Sequence, residues 1–202
     1  MGIIRGINEE SIHGVMDAVV CAGLRFIEIT LNTPNAPRLI ENTCRNYSGS
    51  LCVGAGTVLS VKDAETAVAA GARFLVSPTG KEDVAAFCRK HKLAYFPGAF
   101  TPTEIEVAWN AGAEMVKVFP ASQLGPAYFR EMKGPFQNIR LMAVGGINKE
   151  NAPQYLAAGV SALALGGSIF SPERMNNQQF SLIRKDIEEF LLAVRNFYSK
   201  IV

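Results

Sequence analysis

Residues 158–168 read Ala158-Gly159-Val160-Ser161-Ala162-Leu163-Ala164-Leu165-Gly166-Gly167-Ser168, and they contain a unit that recurs along the chain. The Ala-Gly pair is typical of a helix that ends at a left-handed glycine. The apolar residues that follow predict a buried strand, and Gly-Gly-Ser predicts a loop. The same pair precedes an apolar run at Ala22-Gly23, Ala70-Gly71 and Ala111-Gly112. The four glycines lie 48, 41 and 47 residues apart, so each step holds about two strand-helix units.

Strand candidates alternate with helical segments along the whole chain. Apolar, β-rich runs predict strands at Gly2-Ile7, Arg25-Thr30, Leu51-Gly54, Arg73-Ser77, Ala94-Phe96, Glu114-Phe119, Arg140-Val144 and Ala162-Leu165. Helix-start signals lie between them at Asn8-Glu9-Glu10, Ser60-Val61-Lys62-Asp63, Thr101-Pro102-Thr103-Glu104 and Asn148-Lys149-Glu150. This alternation predicts an α/β fold, a single (β/α)8 TIM-barrel domain of residues 1–202. Apolar residues at helical spacing from Phe180 to Phe197 predict a C-terminal closing helix. A flavodoxin-like or Rossmann open sheet is the main alternative.

Composition excludes several classes of protein. With 202 residues, 49% hydrophobic and 19% charged residues, the chain can bury a sizeable core. Its net charge of +2 is not concentrated in a basic run, so neither nucleic acid nor a membrane surface is an expected partner. The start lacks a secretory signal and no apolar run reaches the roughly 18 to 20 residues of a membrane span, so a cytoplasmic location is expected.

Metal chemistry is not expected from the ligand-forming residues. The four cysteines are widely spaced without a C-x-x-C motif, which indicates buried reduced thiols rather than a disulfide framework or a zinc site. The two histidines, His13 and His91, lie in polar, helix-like settings. The sequence therefore predicts no metal site.

Lys117 is the first candidate catalytic residue. It interrupts Glu114-Met115-Val116-Lys117-Val118-Phe119-Pro120, a run that otherwise predicts a buried strand. Burial lowers the pKa of a lysine, and the neutral amine attacks a carbonyl carbon to form a Schiff base. The alternative is a structural strand lysine that snorkels to solvent or pairs with Glu114.

Glu28 is a second isolated charge, in the apolar strand Phe26-Ile27-Glu28-Ile29-Thr30. The second and sixth strands of an eight-stranded barrel lie on opposite sides of the ring, so Glu28 and Lys117 are expected to point into the same lumen. A carboxyl group there could transfer protons during imine and aldol chemistry. It could also simply neutralise Lys117, and the two roles are compatible.

Binding residues are expected where strands end. Val144-Gly145-Gly146 and Gly166-Gly167-Ser168 follow the seventh and eighth strands, where phosphate sites recur in this architecture. Backbone N–H groups there can hold a phosphate without basic side chains. Arg5 and Thr57 follow other strands and are candidates for a substrate carboxylate and a carbonyl or hydroxyl oxygen.

Taken together, these segments resemble the 2-keto-3-deoxy-6-phosphogluconate (KDPG) aldolase family over almost the whole chain. The motifs that carry the resemblance are Ile4-Arg5-Gly6, Ile27-Glu28-Ile29-Thr30-Leu31, Gly54-Ala55-Gly56-Thr57-Val58-Leu59, Ser77-Pro78, Phe96-Pro97-Gly98, Val116-Lys117-Val118-Phe119-Pro120-Ala121, Val144-Gly145-Gly146-Ile147 and Gly166-Gly167-Ser168.

The resemblance implies a homotrimeric class I aldolase that needs no metal or other cofactor, because the substrate is held as an imine. It implies that Lys117 forms this imine with a 2-oxo acid and that Glu28 is the general acid/base. It assigns substrate contacts to the Arg5, Thr57, Pro78, Phe119 and Val144 positions, and phosphate binding to the Gly145, Gly146, Gly167 and Ser168 positions. The implied reaction cleaves a phosphorylated 2-keto-3-deoxy sugar acid to pyruvate and glyceraldehyde 3-phosphate.

Two residues depart from the common KDPG pattern. Asn32 stands where many members have Arg, and Val144 stands where many have Thr; both resemble the galactonate-series branch. Activity on both C4 epimers, or a preference for the galacto form, is therefore expected. The remaining alternatives are a 4-hydroxy-2-oxoglutarate aldolase, a non-catalytic barrel that binds a phosphorylated metabolite, and a sugar-phosphate isomerase or epimerase, which would not need a buried amine.

Overall fold

The computed structural model describes residues 1–200, so the predicted domain of residues 1–202 extends two residues beyond the described part. The strands are β1 (Gly2–Ile4), β2 (Phe26–Thr30), β3 (Cys52–Gly56), β4 (Phe74–Val76), β5 (Ala94–Phe96), β6 (Gly98–Ala99), β7 (Val116–Val118), β8 (Leu141–Val144) and β9 (Ala162–Ala164). The helices are α1 (Ile12–Cys21), α2 (Ala36–Asn46), α3 (Val61–Ala69), α4 (Glu82–His91), α5 (Pro102–Asn110), α6 (Ala121–Lys133), α7 (Ala152–Ala157), α8 (Pro172–Asn176) and α9 (Phe180–Tyr198).

The strands form a closed parallel barrel. Neighbours in the chain pair in the order β1-β2-β3-β4-β5 and β6-β7-β8-β9. These two runs meet where Ile3 N–H donates to Leu165 O at 2.8 Å, and again where Lys117 N–H donates to Pro97 O at 2.9 Å. The (β/α)8 prediction is thereby confirmed, and the open-sheet alternative is wrong because its strand order would reverse at a switch point.

Most strand bounds differ from the sequence prediction by a residue or more, and three differences have a clear structural cause. The first strand ends at Ile4 and not at Ile7, because the chain turns at Gly6, whose φ is +69°. The third strand continues beyond Gly54 to Gly56, since glycine does not end a strand when its neighbours supply the hydrogen bonds. The fifth barrel strand is interrupted at Pro97, which lacks an N–H donor, and resumes as β6.

The helix signals are confirmed at several termini. Ser60 Oγ accepts a hydrogen bond from Asp63 N–H at 3.1 Å, and Thr101 forms a capping box with Glu104. The glycines of the four Ala-Gly pairs all have positive φ, between 86° and 93°. The closing helix α9 buries Ile183, Ile187 and Phe190, whereas the short helix α8 has no equivalent in the sequence prediction.

Apolar residues form two layers. The larger cluster fills the space between the strands and the surrounding helices. A smaller one comprises Met142, Val144 and Ala164, with Ile3 and Phe96 packed against it, and lines the inside of the barrel. This inner layer gives the charged strand residues an apolar environment.

Other sequence expectations concern the cysteines, metal ligands and membrane spans. Cys88 is buried, but Cys21 at the end of α1 is exposed, so the prediction that the thiols are buried is wrong there. That position lies on the solvent side of an amphipathic helix. Within residues 1–200, no group of three or more His, Cys, Asp or Glu residues is arranged to hold a metal ion. Nor does that part of the chain contain a helix both long and apolar enough to cross a membrane.

Candidate active site

Lys117 and Glu28 are buried inside the barrel, with 5% and 1% of their surfaces exposed. Lys117 lies opposite Met142 of β8, and residues paired in a parallel sheet point to the same face. Met142 belongs to the inner apolar layer, so the Lys117 side chain also points into the barrel. Glu28 lies opposite Ile3 and Gly54 on the other side of the ring. The two isolated charges that the sequence singles out are thus brought together.

Burial changes the acid-base chemistry of both groups. The pKa of Lys117 is lowered, chiefly by loss of solvation and further by the charge of Arg5, while Glu28 opposes the shift. The pKa of Glu28 is raised, again chiefly by burial, with Lys117 and Arg5 opposing. Both shifts favour the uncharged forms, which are an amine nucleophile and a carboxylic acid proton donor.

The two groups interact without forming a direct ion pair. No salt bridge within 4.0 Å joins them, and both Glu28 carboxyl oxygens lack a hydrogen-bond partner within the described part of the chain. Lys117 Nζ lies 5.3 Å from the centre of the Phe119 ring. Glu114, the alternative partner for Lys117, instead pairs with Arg140 at 2.9 Å on the surface. Both groups are therefore free to react with a substrate that binds between them.

Gly56 provides space for the Glu28 carboxyl group. A Cβ atom built on Gly56 would lie 2.5 Å from Glu28 Oε1, closer than van der Waals contact allows. The last residue of β3 must therefore lack a side chain for Glu28 to occupy its position. Glycine in a strand often marks such a close approach, but the sequence contains no signal that assigns this role to Gly56.

The other predicted substrate residues lie at the same end of the barrel. Arg5 is exposed directly after β1, and its charge affects the pKa values of both Lys117 and Glu28. Thr57 follows β3 with a φ of +57°, an uncommon conformation for a residue with a side chain. Val144 ends β8 within the inner apolar layer and is 2% exposed. The Phe119–Pro120 peptide bond that follows β7 is cis.

The two glycine-rich loops are joined to each other. Ser168 Oγ donates a hydrogen bond to Ile147 O at 2.9 Å, so the hydroxyl of Ser168 is already engaged. In contrast, the backbone N–H groups of Gly146, Gly167 and Ser168 donate to no acceptor in residues 1–200. Gly146 has a φ of +74°, and a Cβ there would lie 2.6 Å from Ser122 Cβ. Unpaired backbone N–H groups of this kind can bind an anion.

A cleft of about 730 Å³ opens beside this site. It shares Pro78 and Phe119 with the predicted substrate residues, but neither Lys117 nor Glu28 lines it. Phe100 and Val107 line it as well, and they are 40% and 61% exposed. The cleft is therefore an apolar surface next to the reactive groups rather than the chamber that contains them.

Comparison with known proteins gives matches along most of the chain. The family model described as KDPG and KHG aldolase matches residues 1–185. A probable 2-dehydro-3-deoxy-6-phosphogalactonate aldolase of Rhizobium meliloti is 35% identical over 173 residues, which are 85% of this chain and 82% of the relative. A 2-dehydro-3-deoxy-phosphogluconate aldolase of Treponema pallidum is 38% identical over 156 residues, or 77% and 73% of the two chains.

Solved structures agree with these matches. A native KDPGal structure has a TM-score of 0.92 at 29% identity and covers 98% of this chain and 95% of its own. A KDPG aldolase from Legionella pneumophila, with pyruvate captured as a covalent carbinolamine intermediate, has a TM-score of 0.84 at 27% identity. The alignment covers 93% of this chain and 92% of the Legionella chain.

Arg5 lowers the pKa of Lys117 and Glu28 raises it, so replacing these two residues should shift the pH dependence of Lys117 reactivity in opposite directions. Only the neutral amine reacts, so labelling of Lys117 rises as pH passes upward through its pKa. Arg5→Gln removes a nearby positive charge and should move this rise to higher pH, whereas Glu28→Gln should move it to lower pH. Reductive methylation followed by peptide mapping measures the midpoint, with Arg38→Gln on the surface of α2 as the control. Shifts in the same direction for both variants would contradict the electrostatic assignment.

Proposed function

The chain belongs to the KDPG and KHG aldolase family, and we propose that it is a class I aldolase, a carbon-carbon lyase acting through a Schiff base. Its proposed substrate is 2-keto-3-deoxy-6-phosphogluconate or its galactonate epimer, cleaved to pyruvate and glyceraldehyde 3-phosphate. The observation that carries the proposal is the desolvated amine of Lys117, which faces an unpaired Glu28 carboxyl group inside a barrel. Residues 1–202 are proposed to form one such domain.

The first half of the reaction forms the covalent intermediate. The neutral amine of Lys117 attacks the C2 carbonyl carbon, giving a carbinolamine that loses water to become an iminium ion. Glu28 donates the proton that allows the hydroxyl to leave as water. The relative from Legionella, in which pyruvate is held as a carbinolamine, supports this route. Burial raises the pKa of Glu28 and so favours the protonated form that supplies this proton.

The second half cleaves the carbon chain. Glu28, now a carboxylate, accepts the proton of the C4 hydroxyl as the C3–C4 bond breaks, and glyceraldehyde 3-phosphate leaves. The electron pair of that bond moves into the iminium, which becomes an enamine. Protonation at C3 and addition of water then release pyruvate and restore the Lys117 amine. No other electron acceptor or cofactor is required, because the iminium serves as the electron sink.

The remaining residues are proposed to hold the substrate at its two anionic ends. Arg5 binds the C1 carboxylate and Thr57 an adjacent oxygen, since both follow strands at the open end of the barrel. Pro78 and Phe119 flank the carbon chain. Phosphate binding is proposed for the backbone of the two joined loops, at the positions Gly145, Gly146, Gly167 and Ser168.

This arrangement favours the cleavage of a phosphorylated substrate over the other candidate functions. The free N–H donors of the loops match a phosphate, which 4-hydroxy-2-oxoglutarate lacks. A non-catalytic binding barrel or a sugar-phosphate isomerase, in turn, would not need a buried amine. Inhibition of cleavage by inorganic phosphate distinguishes the two substrates. Competitive inhibition supports the phosphorylated substrate, and its absence supports 4-hydroxy-2-oxoglutarate.

Covalent trapping with pyruvate tests the mechanism. Incubation with pyruvate and borohydride should give a stable secondary amine at Lys117, identified by intact mass and peptide mapping. Lys117→Met replaces the amine with an apolar chain of similar length and should abolish the adduct and reduce turnover by at least about a thousandfold. Lys133→Met, at the end of α6, is the matched control. If folded wild-type protein forms no adduct, the non-catalytic binding barrel becomes the better explanation.

Epimer preference tests the role of Val144. An apolar residue there cannot form a hydrogen bond to the C4 hydroxyl, so the protein should cleave both epimers or prefer the galacto form. Val144→Thr should shift kcat/KM by about tenfold toward the gluco epimer, whereas Val144→Ala, which adds no hydroxyl, should not. An advantage of more than about a hundredfold for the gluco epimer in the wild type would disprove the prediction.

We also propose that the protein is a homotrimer in the cytoplasm. The exposed apolar residues Phe100, Val107 and Phe119 along the cleft support an interface with further copies of the chain. A cytoplasmic location fits a substrate whose carboxylate and phosphate prevent it from crossing a membrane unaided.

Assembly can be tested at the same cleft. Val107→Glu places a charge within the proposed interface and should convert trimers to monomers in analytical ultracentrifugation. Leu192→Glu changes a residue of similar exposure on α9, away from the cleft, and should leave the trimer intact. A monomeric wild-type protein would exclude the trimer, and a trimeric Val107→Glu protein would exclude this interface.

A further inference from the structure

The turn that carries Arg5 is held by Asn176, the last residue of α8. Asn176 Nδ2 donates a hydrogen bond to Gly6 O at 3.0 Å, and Asn176 Oδ1 accepts one from Asn8 N–H at 3.0 Å. One carboxamide therefore uses both its donor and its acceptor to bind the chain immediately after Arg5. The two contacts join residues about 170 positions apart, so they connect the first and last parts of the barrel.

The opposite side of the same turn is held by Thr33. Its Oγ1 accepts a hydrogen bond from Gly6 N–H at 3.0 Å and lies 3.1 Å from Thr30 Oγ1 at the end of β2. Gly6 is thus bonded through both its N–H, in the peptide that joins it to Arg5, and its carbonyl. Thr33 is buried, so the bond is shielded from water. Arg5 itself has an exposed side chain, and its backbone direction is set by these bonds.

Helix α8 also holds the second glycine-rich loop, through Arg174. Arg174 Nη1 donates to Ser168 O at 3.3 Å, while Nη2 binds Asp186 Oδ2 of α9 at 2.7 Å. The guanidinium therefore fixes the carbonyl side of Ser168 against the closing helix. The backbone N–H groups of Gly167 and Ser168 donate to no acceptor in residues 1–200, so they are available to a ligand.

We propose that α8 is a positioning element that aligns the two anion-binding ends of the substrate site. In this proposal Asn176 positions Arg5 for the carboxylate and Arg174 positions the Gly167–Ser168 backbone for the phosphate, and neither side chain touches the substrate. The inference rests on the proposed function. It follows from a geometric requirement: the substrate is fixed at both ends, and small displacements of either end move its C2 atom relative to Lys117.

Two small molecules report separately on the carboxylate end and the phosphate end of the proposed site. Pyruvate carries the carboxylate but no phosphate, and its half-saturation concentration for borohydride trapping at Lys117 reports the Arg5 end. Inorganic phosphate carries no carboxylate, and its inhibition constant against cleavage of the phosphorylated substrate reports the loop end. A purely structural role for α8 would weaken both readouts together or lower only the melting temperature.

Asn176→Ala should raise the half-saturation concentration for pyruvate by about tenfold and leave the phosphate inhibition constant within about twofold of wild type. Arg174→Met should do the reverse, weakening phosphate inhibition by about tenfold and leaving pyruvate trapping unchanged. Asn177→Ala is the matched control, because Asn177 is the neighbouring exposed residue of the same type. Equal effects on both probes, or none, from Asn176→Ala would overturn the proposal.

Thr33 offers a second route to the same turn if the α8 variants fold poorly. Thr33→Val keeps the side-chain shape but removes the acceptor for Gly6 N–H, so it should reproduce the pyruvate effect of Asn176→Ala. Thr33→Ser retains the hydroxyl and should restore wild-type trapping. A Thr33→Val protein with normal pyruvate trapping would contradict the proposal.

Failure of this inference differs from failure of the proposed function. If wild-type protein is not trapped by pyruvate at all, the Schiff-base mechanism is wrong. If the wild type is trapped and inhibited by phosphate but the α8 variants behave as the Asn177→Ala control does, only the positioning role is wrong.

Discussion

The site depends on the cost of burying an amine and a carboxyl group in an apolar barrel without a direct ion pair. Water solvates charged groups far better than the side chains of Met142 and Phe96 can, so burial shifts Lys117 and Glu28 toward their neutral forms. A close salt bridge would restore both charges and remove the nucleophile. The separation of the two groups is therefore as important as their proximity. The positive charge of Arg5 also favours the neutral amine, because it lowers the pKa of Lys117.

Glycines on the strands next to the reactive groups allow close packing inside the barrel. Lys117 lies beside Gly98, and Glu28 lies beside Gly54 with Gly56 close to its carboxyl group. An ordinary barrel interior is filled by branched apolar side chains, which would leave no room for a substrate. Here Gly56 makes room for the Glu28 carboxyl group, whereas Gly54 makes room for the Phe74 ring and Gly98 for the Pro78 backbone. The layer between strands and helices, in contrast, is filled mainly by apolar side chains.

Most of the fold could be predicted from the sequence because it depends on periodic signals. The Ala-Gly pairs, the apolar runs and the capping residues each reflect local physics, and isolated charges within apolar strands identify Lys117 and Glu28. The break at Pro97, the space at Gly56 and the contacts of Asn176 could not be predicted in this way. They depend on which residues become neighbours after the barrel closes, and α8 is too short to produce a periodic pattern.

Chemistry and binding are divided between two kinds of structure. Lys117 and Glu28 lie on strands within the barrel, where hydrogen bonding on both sides fixes their positions. The proposed anion-binding groups lie on loops, and those proposed for the phosphate are backbone N–H groups rather than basic side chains. This explains why a chain with a net charge of only +2 can still be suited to a substrate with two anionic ends. Loops are less constrained than strands, so a site that uses them needs contacts such as those of Asn176 and Arg174 to hold both ends in register with the amine.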